Sequence, residues 1–373
     1  MNTSVDIQDK IETIAPEWER FAQRVSAPPF LWAGWIDAWW QAFGKGRLQI
    51  LATFEDGHLT GVLPLFRTPI GLSSTTNYHS PQFGFLTSNE RATEHLAATL
   101  FAQRAQRIDL SYLPSTDHSV AVTGETARAA GYRVLTETKE IVPPVDSRGT
   151  WEDYENRLRR KFRSELRRRR RRLEEQGELN LEVHDGTDRL SQLLDEGFRI
   201  EGSGWKEAQG SSIISHPSTH GFYTQVARWA AARGWLRLAF LRLNGRALAF
   251  DFCLEYNGTH YLLKTGYDSA YSTFGPGMIH RYLMLSRAFS TDISTYDFVG
   301  RFQAWKQEWT SGNKEQVSLH MFAPTVLGGL NRAGFVHGLP AARRVKGKAY
   351  SIFGERGGRL VERVSETVRR QRW

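Results

Sequence analysis

Cysteine is almost absent from this sequence of 373 residues, since Cys253 is the only one. A single thiol cannot form a disulfide within the chain, and it cannot supply the several thiolates of a structural zinc site. The composition therefore excludes a disulfide framework and a cysteine-based metal centre, and it predicts a protein of the reducing cytoplasm.

Long hydrophobic runs are also missing. The apolar stretches around Trp35 and Phe250 are interrupted by charge or glycine before they reach the roughly 20 residues that a membrane-spanning helix needs. The first ten residues lack the basic segment and apolar segment of a secretory signal. The sequence thus predicts neither a spanning helix nor export.

The residues that are present indicate a globular chain of two domains. An apolar fraction of 40% with 24% charged residues is typical of folded proteins, and the length suits two cores. The net charge of +9 comes from two segments, 157–172 and 331–373, which leave the remainder acidic. This placement argues against a nucleic-acid-binding surface spread over the whole protein.

The first half of the chain follows an alternating α/β pattern. The first 45 residues are predicted to be helical, with tryptophans at helical spacing from Trp32 to Trp39 on a core-facing side. Asp56-Gly57 then joins two apolar runs as a hairpin, and helices and strands alternate up to Pro143-Pro144. The long polar connection 67–90 is of the kind that borders binding sites.

The second half repeats the hairpin signal at Asn244-Gly245. A further strand, a glycine-containing loop, a helix from Gly277 and a short strand from Thr295 follow. The predicted order is β, β, β, loop, α, β.

Three segments of this half carry a family resemblance: Tyr267–Ile279, Tyr296–Gly300 and Trp305–Trp309. Together they resemble the C-terminal signature of the CelD-like acetyltransferases, relatives of the Fem peptidyltransferases. The resemblance implies a mixed α/β fold of two tandem GNAT-like domains joined by a basic helix. The implied boundaries are 1–150 for the first domain, 151–177 for the helix, 178–325 for the second domain and 326–373 for a basic extension.

The same resemblance implies an N- or O-acyltransferase that uses acetyl-CoA or another acyl-CoA, in polysaccharide or cell-envelope biosynthesis. The acceptor would be a small molecule or a glycan. Two alternatives stay open: a Fem-like transferase that takes its group from aminoacyl-tRNA, and a non-catalytic binding protein that kept the fold.

The principal candidate site residues lie in the same three segments. The loop and helix start formed by Phe274, Gly275, Gly277, Met278 and Ile279 is predicted to bind the cofactor phosphates, because free amides at a helix N-terminus attract anions. The candidate catalytic residues are Asp297, Tyr267 and Lys306, with Lys264 and His216 as further candidates, and no spacing indicates a metal site.

Each candidate also has a structural interpretation. Gly-Pro-Gly is common at the start of helices without a ligand, Asp297 is suited to capping a loop, and Trp305 and Trp309 have the spacing of a buried helix face. The arginine run 167–172 would bind RNA, anionic lipid or a polyanion, or form a solvated linker. Segment 331–373 is predicted to contact a membrane surface or to be an extension.

Overall fold

The computed structural model describes residues 3–203, 212–312 and 314–338, which fold into two mixed β-sheets flanked by helices. The helices are α1 Ala15–Arg24, α2 Ala33–Phe43, α3 Glu90–Ala102, α4 His118–Ala129, α5 Trp151–Arg157, α6 Arg160–Glu174, α7 Leu190–Gly202, α8 Pro217–Ala231, α9 Pro276–Phe289 and α10 Val326–Ala333. The strands are β1 Thr3–Gln8, β2 Arg47–Glu55, β3 His58–Thr68, β4 Gly71–Ser74, β5 Leu86–Thr87, β6 Arg107–Pro114, β7 Arg133–Ile141, β8 Val145–Asp146, β9 Leu179–His184, β10 Leu236–Leu243, β11 Arg246–Tyr256, β12 Thr259–Tyr267, β13 Thr295–Asp297 and β14 Lys314–Phe322.

The first sheet has the strand order β1-β2-β3-β4-β6-β14-β7, with β5 paired to β3. Its β2–β3 hairpin turns at Asp56 and Gly57, both with positive φ, as the sequence predicts. The prediction of helix throughout the first 45 residues is wrong at Thr3–Gln8, which pair with β2 as an edge strand. The alternation of valine and isoleucine with polar residues there is the period of a strand.

The second sheet has the order β8-β13-β12-β11-β10-β9. The predicted hairpin at Asn244-Gly245 joins β10 to β11, and the predicted order of strand, loop, helix and short strand after it is confirmed. The loop from Ser269 to Phe274 is a 3₁₀ turn, and α9 begins directly after it.

Two strands lie in the sheet of the opposite half. Strand β14 follows the second sheet in the chain but pairs between β6 and β7 of the first. Strand β8 precedes the second sheet and pairs with β13 at its edge. The predicted domain boundaries stay a prediction, and the chain crosses between the two sheets more often than they imply.

The two halves share one apolar core. Helix α2 packs against α8, and the rings of Trp35 and Phe222 meet edge to face at 5.3 Å. Trp35 and Phe222 are fully buried. Because Trp35 of α2 is buried against Phe222 of α8, the first half supplies part of the surroundings of the second sheet.

The basic segment forms two helices where one was predicted. The chain is extended at Leu158 and Arg159, which separates α5 from α6. Leu166 and Leu173 of α6 are buried, and α6 packs against α9 and the 3₁₀ turn before it. The basic helix is therefore packed on α9, and this contact places Arg169 and Arg172 beside the predicted loop.

The C-terminal segment on which the membrane prediction falls lies outside the described residues from 339 onward. Helix α10, just before it, exposes Val326, Leu327 and Leu330. Within the described ranges no helix is long and apolar enough to cross a bilayer, and no group of three His, Cys, Asp or Glu residues is placed to hold a metal ion.

Candidate active site

An unpaired strand edge lies at the centre of the second sheet. Strand β12 pairs with β13 in parallel over Thr259–Tyr261 only, although β12 continues to Tyr267. On its other side it pairs with β11 as far as Tyr267. Residues 262–267 thus have no strand partner on one edge within the described chain. At ~3.3 Å per residue the open edge is roughly 20 Å long.

The loop after β12 brings the chain into α9. Gly275 has φ +67°, a backbone conformation that favours glycine, and it forms the N-cap of α9. The amides of Met278 and Ile279 donate to the carbonyl of Gly275 at 3.0 and 3.2 Å, so neither is open to a ligand. Among the described residues, none accepts a hydrogen bond from the amide of Gly277.

Arg169 of α6 adds a positive charge beside this loop. A Cβ on Gly275 would lie 2.6 Å from its Nη1, and its Nε donates to Glu165 at 2.5 Å. Arg172, one turn further, lies over the ring of Phe274 at 5.3 Å. The arginine helix and the N-terminus of α9 together form an electropositive border.

A cavity of about 780 Å³ runs along the open edge. Its walls come from β12, the start of α9, the segment 298–309 and the loop between β4 and β5, which contributes Tyr78, His79 and Pro81. The long connection that the sequence marks as a site border is therefore part of the wall. The cavity lies between the two halves of the molecule.

The cavity reaches both faces of β12. On one face Thr265 accepts from Arg281 of α9 at 3.4 Å, and Tyr267 lies against Gly277. On the other face Lys264 lies 5.5 Å from the rings of Tyr78 and Tyr223. At its open edge, one face of β12 thus lies against α9, and the other face is turned toward the first half of the chain.

The face toward the first half contains a buried carboxylate, that of Glu201. Its side chain accepts from the amide of Ile213 at 2.8 Å and is fully buried. Close by, the pKa of His79 is lowered to about 3 because the imidazole is buried and because Lys264 and His216 lie nearby. His79 is therefore neutral at physiological pH.

Lys306 enters the cavity from the segment after β13. Its ammonium donates to the carbonyls of Val299 at 2.6 Å and Arg301 at 3.0 Å, and its side chain is 5% exposed. Burial lowers the pKa of Lys306 to about 8. A substantial fraction of Lys306 is thus uncharged at mildly alkaline pH, when its amine can accept a proton.

A buried ion pair supports the cavity floor. Arg281 of α9 binds Asp251 of β11 with both terminal nitrogens, at 2.8 and 3.0 Å, and also contacts the hydroxyl of Tyr296. Burial alone would raise the pKa of Asp251, but Arg281 and His280 outweigh it and lower the pKa. The pair holds α9 on the sheet, and Arg281 lines the cavity above it.

The structure brings six of the predicted site residues to the cavity wall: Lys264, Tyr267, Gly275, Gly277, Met278 and Lys306. His216 is not part of this wall. Three others lie apart from it. Ile279 is buried in the core, Phe274 lies under Arg172, and the carboxylate of Asp297 accepts from the amide of Val299 at 2.7 Å. Burial raises the pKa of Asp297.

Several wall residues carry no sequence signal of their own. Arg169 is one of six consecutive arginines, and only the packing of Leu166 and Leu173 selects the arginine that faces the loop. Glu201 and Arg281 lie on helices whose partners are far away in the chain. For Glu201 and Arg281, the sequence signal that could have identified them is a charged residue on the apolar face of a helix.

Comparison with known families agrees with this geometry. Residues 160–307 match the family model described as an acetyltransferase (GNAT) domain. The matched range contains the arginine helix, the open strand, the glycine loop and Lys306. The fold of the chain is GNAT-like, and the second half carries an acetyltransferase-type domain. The narrower relationship to CelD-like proteins stays a prediction.

Solved structures show the same fold over most of the chain. FemX superposes with a TM-score of 0.53 at 14% identity, over 85% of this chain and 97% of FemX. The C-terminal domain of a protein assigned as a lysylphosphatidylglycerol synthetase, from Agrobacterium fabrum, gives 0.54 at 10% identity, over 88% and 97%. A protein of unknown function from Bacteroides thetaiotaomicron gives 0.53 at 12%, over 86% and 100%. No curated protein matches the sequence significantly.

Proposed function

We propose that this protein transfers an acyl group from a CoA thioester to an amine or hydroxyl acceptor in the cavity between its two halves. The observation that carries this proposal is the open edge of β12 above the electropositive border of Arg169 and α9. An unpaired strand edge offers backbone donors and acceptors to an extended ligand that contains amides, and CoA has such an arm attached to phosphates.

The phosphates of the donor fit the border at Gly275. The open amide of Gly277 supplies one donor, and Pro276 supplies none. One amide is little for a pyrophosphate, so Arg169 is proposed to provide most of the attraction through its fork of N–H groups. The bound donor would then follow β12 from Tyr267 toward Leu262.

The proposed reaction is a direct transfer. The acceptor's nitrogen or oxygen attacks the thioester carbonyl, and the uncharged amine of Lys306 takes the proton that the nucleophile loses. The carbon–sulfur bond then breaks, and the phenol of Tyr267 gives its proton to the leaving thiolate. Asp297 stays a candidate for accepting the proton of the nucleophile, although its hydrogen bond with the Val299 amide favours a role in supporting the loop.

The first experiment measures donor binding. Isothermal titration of the purified protein with acetyl-CoA and longer acyl-CoA thioesters should show saturable binding, and thiol release in the presence of a library of amines, alcohols and sugars should identify the acceptor. Absence of binding at millimolar thioester would reject the CoA donor. The assignment to polysaccharide or cell-envelope biosynthesis rests on the sequence resemblance alone.

A second candidate function, transfer from aminoacyl-tRNA, is favoured by the exposure of the arginine helix. Arg167 and Arg171 remain 67% and 75% exposed next to the cavity wall. A donor larger than CoA would extend over this surface. RNA that copurifies with the wild-type protein, and not with a variant in which Arg167 and Arg171 are alanine, would favour this donor. The non-catalytic alternative is disfavoured by the open cavity beside Gly277.

We further propose that the C-terminal part of the chain contacts an anionic membrane surface. Val326, Leu327 and Leu330 are 84%, 52% and 64% exposed on one short helix. The sequence from 331 to 373 that follows has a formal net charge of +8. Exposed apolar side chains next to basic residues are typical of segments that bind anionic bilayers.

A further inference from the structure

A second cavity, of about 580 Å³, lies at the first sheet, where β14 ends and β7 begins. The side chains of Tyr132, Phe322 and Ala323 line it and are buried, and α10 contributes another part of its wall. Among the described residues, none lines both this cavity and the cavity along β12. The second cavity is therefore a separate place in the fold, and its volume suits a small molecule or a headgroup.

Three arginines from separate elements line this second cavity. Arg128 lies in the last turn of α4, Arg133 begins β7 and Arg332 belongs to α10. The register of the sheet pairs Arg133 with Phe322, the last residue of β14, and α10 follows β14 after a short connection. Tertiary packing thus brings together three guanidinium groups that are far apart in the chain.

The positive charge of this cavity has no acidic counterpart within the ranges that the structure describes. No aspartate or glutamate lines the cavity, and none forms an ion pair with any of its three arginines. Two other arginines of the same sheet are paired, Arg47 with Asp9 and Arg107 with Asp109. The Nε atom of Arg332 is buried without a hydrogen-bond acceptor in that part of the chain. The arrangement therefore favours a ligand that supplies negative charge and acceptor atoms.

A phosphate group suits three guanidinium groups better than a carboxylate does. A phosphate monoester carries a charge of about −1.5 to −2 at neutral pH and three acceptor oxygens, whereas a carboxylate has one charge and two oxygens. Each guanidinium presents a planar fork of N–H groups that binds phosphate oxygens in pairs. The volume of the cavity leaves room for the group to which the phosphate is attached.

We infer that this second cavity binds the phosphate group of a phosphate monoester through its three arginines. The ester is carried by a soluble molecule or by a lipid headgroup, and the binding chemistry is the same for both. In the lipid case the acyl chains would lie beside the exposed side chains of Val326, Leu327 and Leu330, on the helix that also carries Arg332. The inference goes beyond the proposed acyl transfer and does not depend on it.

The soluble source is tested with glycerol 3-phosphate, inorganic phosphate and glycerol. Each is titrated into the full-length protein by calorimetry, in a buffer that contains no phosphate. Glycerol 3-phosphate and inorganic phosphate should bind, and glycerol should not bind at the same concentrations. Equal binding of glycerol and glycerol 3-phosphate would contradict the inference, because the phosphate group would then contribute nothing.

The lipid source is tested by sedimentation with two kinds of phosphatidylcholine vesicle. One contains phosphatidic acid, which is a phosphate monoester, and the other contains phosphatidylglycerol, a diester, at matched surface charge. A preference for phosphatidic acid that is lost in Arg332→Gln assigns the ligand to the membrane. Binding of glycerol 3-phosphate without such a preference assigns it to a soluble molecule. Absence of both would reject the phosphate site.

Two variants locate the binding. Arg133→Gln and Arg332→Gln should each weaken binding of the phosphate probe by about tenfold, because a charge-assisted contact is lost. The control Arg47→Gln removes an arginine of β2 that is 76% exposed and should leave the affinity unchanged. The midpoint of thermal unfolding without ligand shows whether each variant is folded. Unchanged affinity in the first two variants, or an equal loss in all three, would overturn the site.

Failure of this inference can be distinguished from failure of the other proposals. Arg332→Gln should leave the affinity for acetyl-CoA unchanged, and Arg169→Ala should leave phosphate binding unchanged. Phosphate binding that depends on Arg169 and not on Arg332 would mean that the probe occupies the donor site, and the inference would be wrong. Vesicle binding that requires Leu327 and Leu330 but neither arginine would support the membrane contact and refute the phosphate site.

Discussion

The guanidinium of Arg169 lies against Gly275, so close that a single methyl group on this glycine would be 2.6 Å from Nη1. This relationship joins the arginine helix to the loop that precedes α9. It gives the basic segment a specific place beside the proposed phosphate site.

Replacement of Arg169 by alanine should therefore weaken acyl-CoA binding by about tenfold, the effect of losing a charge-assisted contact. Titration calorimetry measures the Kd. Arg171→Ala is the matched control, since Arg171 belongs to the same run, is 75% exposed and pairs with Glu175. An equal loss of acyl-CoA affinity in both variants would mean that the arginine helix attracts the donor only through its overall positive charge.

Lys306 should make the reaction depend on pH. Its pKa of about 8 means that its amine is protonated, and unable to accept a proton, at lower pH. The transfer rate should rise with pH through about 8 in the wild type. In Lys306→Met that rise should disappear and kcat should fall by roughly 10² to 10⁴. A rise of the same size in the variant would exclude Lys306 as the base.

The same residue predicts a change in stability. The unfolded chain keeps the Lys306 proton up to about pH 10.5, whereas the folded protein releases it from about pH 8. Because the unfolded state binds more protons in this window, the free energy of unfolding contributed by Lys306 rises with pH there. Denaturant unfolding at pH 7 and pH 10 should show that the free energy of unfolding of the wild type rises with pH relative to that of Lys306→Met.

Tyr267 and Asp297 can be separated by kinetics. Tyr267→Phe removes the proposed proton donor and should lower kcat by about 10² while donor affinity is kept. Asp297→Asn keeps a group that accepts from the Val299 amide, so it should leave kcat nearly unchanged if Asp297 only supports the loop. A large fall of kcat in Asp297→Asn with unchanged stability would assign the catalytic role to Asp297.

Gly266 should be essential for packing of α7 on β12. A methyl group there would overlap Cα of Glu201 and lie 3.0 Å from its backbone nitrogen, and backbone atoms cannot move aside cheaply. Gly266→Ala should lower the free energy of unfolding by ~1–3 kcal/mol. Gly221→Ala, within α8 and with open space around the new methyl, should raise it by ~0.5–1 kcal/mol. Denaturant titration measures both.

The proposed membrane contact is tested with vesicles. Serine at Val326, Leu327 and Leu330 should reduce binding to vesicles of phosphatidylcholine mixed with phosphatidylglycerol by at least about tenfold, because apolar burial is lost. Ile7→Ser is the control, since Ile7 is 49% exposed on β1. Unchanged sedimentation of the triple variant, or binding to neutral vesicles alone, would argue against the contact.

The sequence predicts local structure well wherever turn chemistry and hydrophobic period agree. Asp56-Gly57 and Asn244-Gly245 identify the β2–β3 and β10–β11 hairpins, because few residues adopt their positive φ. Thr3–Gln8 was missed because a short polar edge strand has a weak pattern. The break at Leu158 was missed because leucine continues the apolar spacing of the helix on either side.

The candidate site was only partly predictable. The position of Gly275 and Gly277 at the start of a helix can be predicted from the order of strands and helices along the chain. The same order predicts that Lys306 lies near this loop. The facing residues Glu201, Arg281 and Arg301 come from elements that meet only through tertiary packing. The open edge of β12 depends on where β13 ends, and a strand of three residues leaves little trace in a sequence.

Strand β14 makes the two halves inseparable by simple truncation. A protein shortened before residue 314 would leave β6 and β7 without the strand that lies between them, and so split the sheet of its own N-terminal half. Neither half can be obtained by cutting the gene once. Chimaeras between related proteins would need to exchange this C-terminal strand together with the N-terminal half, so the two are expected to covary during evolution.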